Sequence, residues 1–103
     1  MSHEVRFDPA ADDDLAGIFS YVFAQTGGVD VAERYVRRIV LYCEGLTHFP
    51  ERGLVRDWLR PGLRTIGFEG RVTIAFVVQE RRVTILRILS AGRDVGAILR
   101  PKP

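Results

Sequence analysis

The spacing of hydrophobic residues divides the chain into a helical first half and a strand-rich second half. Glu4 to Phe7 alternates polar and apolar residues, and this period of two indicates a strand. From Leu15 to Val22, apolar residues recur at the i, i+3, i+4 and i+7 positions of one helix face. We predict that this helix begins at Asp8-Pro9, with the aspartate as N-cap, and ends at Gly27-Gly28.

A second helix is predicted after the paired glycines. Asp30 and Glu33 have the spacing of a capping box, and the apolar residues that follow again have helical spacing. Phe49-Pro50 is expected to end this helix, because the residue before a proline is disfavoured in the helical conformation. The short glycine connection makes the two helices antiparallel neighbours.

Strand patterns dominate the second half of the chain. The segment from Pro50 to Gly62 is predicted to be a loop. Three strand-like segments follow, with turns at 69–70 and 79–82: Leu63–Phe68, Val72–Gln79 and Val83–Leu89. Asp94 is predicted to cap a short C-terminal helix that ends near Leu99.

Together these elements predict one domain, residues 1–103, of the α+β class. The helical hairpin would pack on one face of a small, mostly antiparallel sheet, with a strand before the helices and three strands after them. A short helix closes the order. A chain of 103 residues is long enough for a single two-layer core.

The last strand is apolar on both faces, so something must cover the face that the helices leave open. Strict alternation divides its residues into two sets, Leu86 and Ile88 against Val83, Ile85, Arg87 and Leu89. Two coverings fit this pattern: a segment of a partner protein, or the chain's own tail with Ile98 and Leu99. Arg87 is expected to be at least half buried and to need a carboxylate, phosphate or carbonyl partner.

Composition argues against several classes of protein. The apolar run Ile74–Val78 is far shorter than the roughly 18 residues of a membrane span, and the first residues lack a signal-peptide pattern. A hydrophobic content of 47% argues against intrinsic disorder. The single cysteine cannot form an internal disulfide, so we expect a cytoplasmic protein.

The charge is distributed unevenly and is carried almost entirely by arginine. Of the 15 basic side chains, 14 are arginine and one, Lys102, is lysine. Residues 1–50 have a net charge of −4 and residues 51–103 one of +6, which gives +2 for the chain. This total is too small to indicate nucleic-acid binding by itself. Guanidinium groups do, however, suit contacts with carboxylates, phosphates and protein interfaces.

Candidate catalytic or metal-binding motifs are weak. His3 and His48 are not in ligand-spaced motifs, and Cys43 lies on a helix face that is predicted to be core. Asp12–Asp14 are consecutive helical residues that point about 100° apart, so we expect solvated first-turn residues and no shared ion. No nucleophile elbow, phosphate-binding loop or dinucleotide fingerprint is present.

The arginine pattern leaves two interpretations open. Around Trp58, arginines recur every four residues, at Arg52, Arg56, Arg60 and Arg64. They could form a basic, partly aromatic surface for phosphate or for an acidic protein. Alternatively, they are solvated charges that balance the acidic helical half.

An ordered set of short motifs resembles a known protein family. The set comprises Phe7-Asp8-Pro9-Ala10-Ala11-Asp12-Asp13-Asp14-Leu15 with Ile18 and Tyr21, Phe49-Pro50 with Gly53, Arg60-Pro61-Gly62-Leu63-Arg64, Ile85-Leu86-Arg87-Ile88-Leu89-Ser90, and Arg93-Asp94. In this order it is similar to the ParE branch of the ParE/RelE toxins of bacterial type II toxin–antitoxin systems. Ser90 departs from the pattern, because many ParE-like sequences have a histidine there.

The resemblance implies two competing activities. RelE-like toxins are ribosome-dependent ribonucleases that cut mRNA, whereas ParE-like toxins poison DNA gyrase and are not known to be enzymes. The tyrosines of this chain, Tyr21, Tyr35 and Tyr42, all fall on predicted helices, away from where the ribonucleases place their acid–base groups. Glu69, Glu51 or His48 would restore that chemistry only if the fold brought one of them beside Arg87.

We therefore expect a gyrase-poisoning toxin with no catalytic residues, no metal and no cofactor. Its partners would be a ParD-like antitoxin, in a hetero-oligomer, and gyrase, with DNA contacted only through the antitoxin. Antitoxin contacts are expected at Arg64, Ile85, Arg87 and Leu89. Gyrase contacts are expected at Arg87, Arg93, Asp94 and Arg100. The alternatives are an mRNA interferase and a non-toxic, antitoxin-binding member of a repressor complex.

Overall fold

A five-stranded sheet carries two helices on one face. The computed structural model describes residues 3–91 and 93–100. Its elements are β1 (Glu4–Phe7), α1 (Pro9–Thr26), α2 (Val29–Glu44), a 3-10 turn (Gly45–Thr47), β2 (Leu54–Val55), β3 (Leu63–Phe68), β4 (Val72–Gln79), β5 (Arg82–Ser90) and α3 (Val95–Leu99). The predicted α+β class and the helical hairpin on the sheet are confirmed.

The sheet is mixed, with the strand order β1-β5-β4-β3-β2. Strands β3 to β5 pair antiparallel, as predicted, and the unpredicted strand β2 also pairs antiparallel with β3, whereas β1 lies parallel to β5 along Arg82–Ile85. The main-chain N–H of Asp8 donates to the Ile85 carbonyl at 2.9 Å, and the chain then turns into α1. Beyond Ile85, β1 therefore no longer pairs with the outer edge of β5.

Both helix starts depend on the residues that precede them. Asp8 is the N-cap of α1 and Pro9 is in its first turn, as predicted. The predicted capping box of α2 is wrong, because Gly28 is the N-cap and Asp30 lies within the first turn. Gly27 ends α1 in the left-handed conformation, at φ +71°, so α2 begins directly after Gly28.

The segment predicted to be a loop between Pro50 and Gly62 contains the short edge strand β2. Leu54 and Val55 pair with Thr65 and Arg64 of β3. Gly53 makes this pairing possible: its φ is +78°, and a Cβ there would lie 2.3 Å from the Thr65 carbonyl oxygen. A two-residue strand is too short for its alternation to be recognised in the sequence.

The main core lies between the helices and the sheet. Its fully buried large side chains come from α2, β4 and β5, with the 3-10 turn contributing one: Ile39, Cys43, Leu46, Ile74, Phe76, Val83, Ile85 and Ile88. Cys43 is thus packed as the sequence predicts. Burial raises the pKa of its thiol to about 12.

A second, smaller core covers the opposite face of the sheet. The tail covers this face, because Leu99 of α3 packs with Leu89 and Leu63, and Ile98 lies against the same cluster. Leu59, from the segment between β2 and β3, completes the cover. The sequence leaves two coverings open, a partner segment or the chain's own tail. In the described residues, the tail provides the cover.

The alternation predicted for β5 fails at a β-bulge. Ala75 pairs with Arg87 but Phe76 pairs with Ile85, so Leu86 is an extra residue. Ile85 consequently joins the helix-side core together with Ile88, while Leu89 belongs to the second core. Strict alternation had assigned Ile85 and Leu89 to one face.

Replacing Gly53 with alanine is expected to destabilise the fold by about 2 kcal/mol or more, because a Cβ meets backbone and the positive φ is strained. The matched control is Gly17→Ala in α1, where a Cβ would meet nothing within 4 Å. That change should stabilise the helix by about 0.5–1 kcal/mol. Urea denaturation of both variants measures the difference, and equal stabilities would contradict the close approach of β2 to β3.

Cys43 is expected to resist thiol reagents at pH 8 in the folded protein and to react rapidly in urea. Its pKa is raised from an ordinary value near 9 to about 12 in the folded chain. The contribution of this thiol to the free energy of unfolding is therefore fully present below pH 9. It falls as the pH rises toward 12, since the thiol loses its proton at a lower pH in the unfolded chain than in the folded one. The Cys43→Ala variant should lack this part of the alkaline loss, and an identical pH profile would contradict it.

Candidate functional site

An ion pair between α1 and β5 lies at the centre of the candidate site. Arg87 Nε donates to Asp14 Oδ2 at 2.8 Å, and Arg87 Nη2 donates to Asp14 Oδ1 at 3.0 Å. The two side chains are 27% and 10% exposed, respectively. The hydrogen bonding that Arg87 donates to the Asp14 carboxylate raises the pKa of Arg87, against the opposing effect of burial. Arg87 thus has the carboxylate partner that its apolar surroundings require, and its own chain supplies it.

Asp14 also satisfies the backbone of β5. Its Oδ2 accepts a hydrogen bond from the Ile88 N–H at 2.8 Å, on the stretch of β5 that lies beyond the last β1 partner. The expectation that Asp14 is a solvated first-turn residue is therefore wrong. The spacing could have shown this, because Asp14 lies three residues after Ala11 and four before Ile18, the two buried residues of α1.

A basic cleft opens beside this ion pair. It has a volume of about 310 Å³ and brings together arginines from three separate segments, Arg60, Arg87 and Arg100. Its walls are mainly apolar and include Leu63, Leu86, Ile98 and Leu99, with Asp8 at the margin. Of the predicted gyrase contacts, Arg87 and Arg100 therefore lie together, and Arg60 is a member of the cleft that sequence reasoning did not assign.

The other predicted gyrase contacts lie outside this cleft. Asp94 is the N-cap of α3, and its Oδ1 accepts a hydrogen bond from the Ala97 N–H at 3.0 Å. Arg93 is exposed at the entrance to the same helix. The carboxylate of Asp94 therefore has the capping role that the sequence predicts for it, and α3 ends at Leu99 as expected.

The predicted antitoxin contacts separate into buried and accessible residues. Ile85 and Leu89 are fully buried in the two cores, so their side chains are not available to a partner in this structure. Arg64 is half-buried on β3, and its Nη1 donates to the Arg52 carbonyl at 3.4 Å. Arg64 and Arg87 remain candidates, but on different parts of the surface.

Among the described residues, the groups that would restore ribonuclease chemistry lie away from the cleft of Arg87. Glu69 accepts two hydrogen bonds from Arg38 of α2, at 3.2 and 2.7 Å. Glu51 lines a separate cleft with His3, and neither Glu51 nor His48 lines the cleft of Arg87. Tyr42 packs edge-on against Phe68, with ring centroids 5.2 Å apart.

The described residues contain neither a cluster of metal ligands nor a membrane-spanning helix. Within residues 3–91 and 93–100, His, Cys, Asp and Glu side chains form no group of three or more that could hold a metal ion. No described helix combines the length and apolar character needed to cross a membrane.

Solved structures with the same architecture define the class of protein. The chain is similar to the chromosomal ParDE toxin–antitoxin system of P. aeruginosa, with a TM-score of 0.74 and 26% identity over 86% of this chain and 96% of that one. It also has the fold of a chain of the RelBE2 toxin–antitoxin complex of Mycobacterium tuberculosis, with a TM-score of 0.62 and 19% identity over 87% and 99% of the two chains. The fold is therefore that of a ParE/RelE-superfamily toxin.

Sequence relatives identify the branch. Residues 5–95 match the ParE toxin family of the type II toxin–antitoxin system parDE. The chain is 33% identical over 102 residues to Toxin ParE3 of Caulobacter vibrioides, which covers 99% of both chains. It is 28% identical over 95 residues to Toxin ParE1 of Mycobacterium tuberculosis, covering 92% of this chain and 96% of the relative. This chain belongs to the ParE toxin family.

Replacing Asp14 with asparagine is expected to lower the free energy of unfolding by about 2–4 kcal/mol, because it leaves the Arg87 guanidinium without its charge partner. The control is Asp13→Asn, which changes an exposed neighbour and should cost less than about 0.5 kcal/mol. Urea denaturation compares the two. If Asp14→Asn were as stable as the control, the ion pair would not join the helix to the sheet.

Proposed function

We propose that this toxin acts by binding DNA gyrase and that a cognate ParD-like antitoxin neutralises it in a hetero-oligomer. Membership of the ParE family supports this assignment. The observation that carries it is the basic cleft, which gathers Arg60, Arg87 and Arg100 without a tyrosine, histidine or lysine among its described lining residues. Such a surface can bind an acidic or anionic target. The Asp8 carboxylate at its margin could accept a proton, but no tyrosine, histidine or lysine among the described lining residues is placed to donate one.

The proton donors and acceptors near Arg87 argue against a ribonuclease. Cleavage of RNA by its 2′-hydroxyl requires one group that accepts a proton and another that donates one. Arginine remains protonated, and both oxygens of Asp14 already accept hydrogen bonds from Arg87 and the Ile88 main chain. We therefore propose a binding protein, without a catalytic residue or a cofactor, that works in the cytoplasm.

Within this proposal, the residues divide between the two partners. Arg60, Arg87 and Arg100 in the cleft, with exposed Arg93 nearby in sequence, are proposed to contact gyrase. Arg64 is proposed to contact an acidic part of the antitoxin, with Arg87 shared between the partners. DNA would be contacted through the antitoxin alone.

The test uses purified gyrase and an in vitro translation reaction in parallel. The folded toxin should inhibit supercoiling and increase gyrase-dependent DNA cleavage, while translation should continue with intact mRNA. The double change Arg60→Gln and Arg100→Gln should reduce gyrase inhibition by about tenfold or more, because it removes two charges from the cleft but preserves the Asp14–Arg87 pair.

Arg71→Gln is the matched control, because Arg71 is exposed and lines a different cleft. Equal inhibition by the double variant and the control would remove the cleft from the mechanism. Cleavage of mRNA at the ribosome would instead establish an interferase. An absence of both effects, with antitoxin binding retained, would establish the non-toxic repressor partner.

A further inference from the structure

The outer edge of β2 has main-chain groups free for pairing. Val55 lies opposite Arg64, and the next residue, Arg56, donates its N–H to the Leu63 carbonyl at 2.7 Å. Because antiparallel strands alternate inward and outward main-chain groups, the N–H and C=O of Val55 point away from β3. A strand edge of this kind can pair with another polypeptide.

Exposed apolar side chains accompany this edge. Leu54 is 60% exposed, Val55 is 51% exposed and Trp58, the single tryptophan of the chain, is 70% exposed. Leu54 and Val55 project to opposite faces of the sheet, so an added strand would meet an aliphatic side chain on each face. Large apolar groups clustered around an open edge indicate a protein interface.

Three arginines beside β2 donate their hydrogen bonds to neutral oxygen atoms. Arg52 donates to the carbonyls of Phe49 and His48, at 3.0 and 3.2 Å. Arg56 donates to the Thr65 hydroxyl at 3.1 Å, and Arg64 to the Arg52 carbonyl. All three are half-buried, and none forms a salt bridge with another described residue. These three guanidinium groups therefore have no carboxylate of another described residue within salt-bridge distance, although Glu51 and Asp57 are their neighbours in sequence.

We propose that the β2 edge binds an extended, acidic segment of a partner protein, which adds a sixth strand to the sheet. The open main-chain groups select an extended peptide, and the three arginines select acidic side chains within it. A second copy of this chain is disfavoured, because pairing β2 with itself would bring the two sets of arginines together. Phosphate groups of a nucleic acid would leave the aliphatic pair and the main-chain edge without partners.

The outer edge of β2 and the cleft around Arg87 are joined by the segment between β2 and β3. The Arg60 N–H donates to the Arg56 carbonyl at 3.2 Å, and the Leu63 carbonyl accepts the Arg56 N–H at 2.7 Å, while Arg60 and Leu63 line the cleft. Arg87 itself lies on β5, three strands from β2, which is about 14 Å at ordinary strand spacing. A partner on the β2 edge would therefore lie beside the cleft. That this partner is the antitoxin rests on the proposed function, whereas the specificity of the edge for acidic strands does not.

The experiment uses the full chain and an eight-residue, end-blocked peptide of alternating glutamate and valine. Binding is measured by the shift of Trp58 fluorescence emission to shorter wavelength, because Trp58 is 70% exposed and follows β2 by three residues. The acidic peptide should bind with an affinity that falls as salt is added. A peptide with lysine in place of glutamate, and an acidic peptide N-methylated at alternate residues, should each bind about tenfold more weakly or not at all.

Variants of the chain identify the site. The double change Arg56→Gln and Arg64→Gln should weaken binding of the acidic peptide by about tenfold, and so should Val55→Pro by itself. Arg71→Gln, which removes an exposed arginine elsewhere, should not. Circular dichroism confirms folding, and the N-methylated peptide tests the same hydrogen bonds if Val55→Pro fails to fold.

Three results would overturn the proposal: an unchanged Trp58 emission, equal binding of the lysine peptide, or equal weakening by Arg71→Gln. Sedimentation that showed concentration-dependent dimers lost on Val55→Pro would assign the edge to a second copy. Toxicity enters none of these measurements, so a failure of the gyrase assignment would leave them intact.

Discussion

The contact between the Asp14 carboxylate and β5 connects the two layers of the molecule. Strand β1 pairs with β5 only as far as Ile85, so the later N–H groups on that edge have lost their strand partner. Asp14 accepts the Ile88 N–H and both donors of Arg87, so one side chain of α1 replaces the missing strand. Because an unsatisfied buried donor is costly, the position of α1 on the sheet and the orientation of Arg87 are set together.

The bulge in β5 determines what lies on each side of the sheet. Since Leu86 is inserted between the residues that face Ala75 and Phe76, the strand presents Ile85 and Ile88 to the helices but Leu89 to the tail. The tail helix α3 then covers the second face and brings Arg100 to the cleft of Arg87. One extra residue thus places Ile85 with Ile88 in the helix-side core and leaves Leu89 in the second core. Arg60 and Arg100 reach the cleft on the two segments that pack on this second core.

Periodicity in the sequence was sufficient for both long helices, for β1 and β3 to β5, and for the capped C-terminal helix. It failed where the deciding contact is not local. The bulge has no mark in the sequence, so alternation places Ile85 on the face away from the helices although it is buried in the helix-side core, and Leu89 is buried because the tail covers it. Asp14 has the spacing of a core-facing residue of α1, but only the fold shows that its partners are Arg87 and the Ile88 N–H. The two residues of β2 are too few to show a periodic pattern. Arg87 was recognised as needing a partner because its neighbours are apolar, yet the identity of that partner required the fold.

The parallel pairing of β1 with β5 has a consequence for folding during synthesis on the ribosome. Glu4 lies opposite Arg82, and Phe7 lies opposite Ile85, so β1 cannot pair until almost the whole chain has been synthesised. The helical hairpin has local contacts and can form early, whereas closing such long loops makes sheet formation slow. A nascent chain that ends before Arg82 lacks the strand with which β1 pairs. The complete five-stranded sheet can therefore form only after β5 has been synthesised.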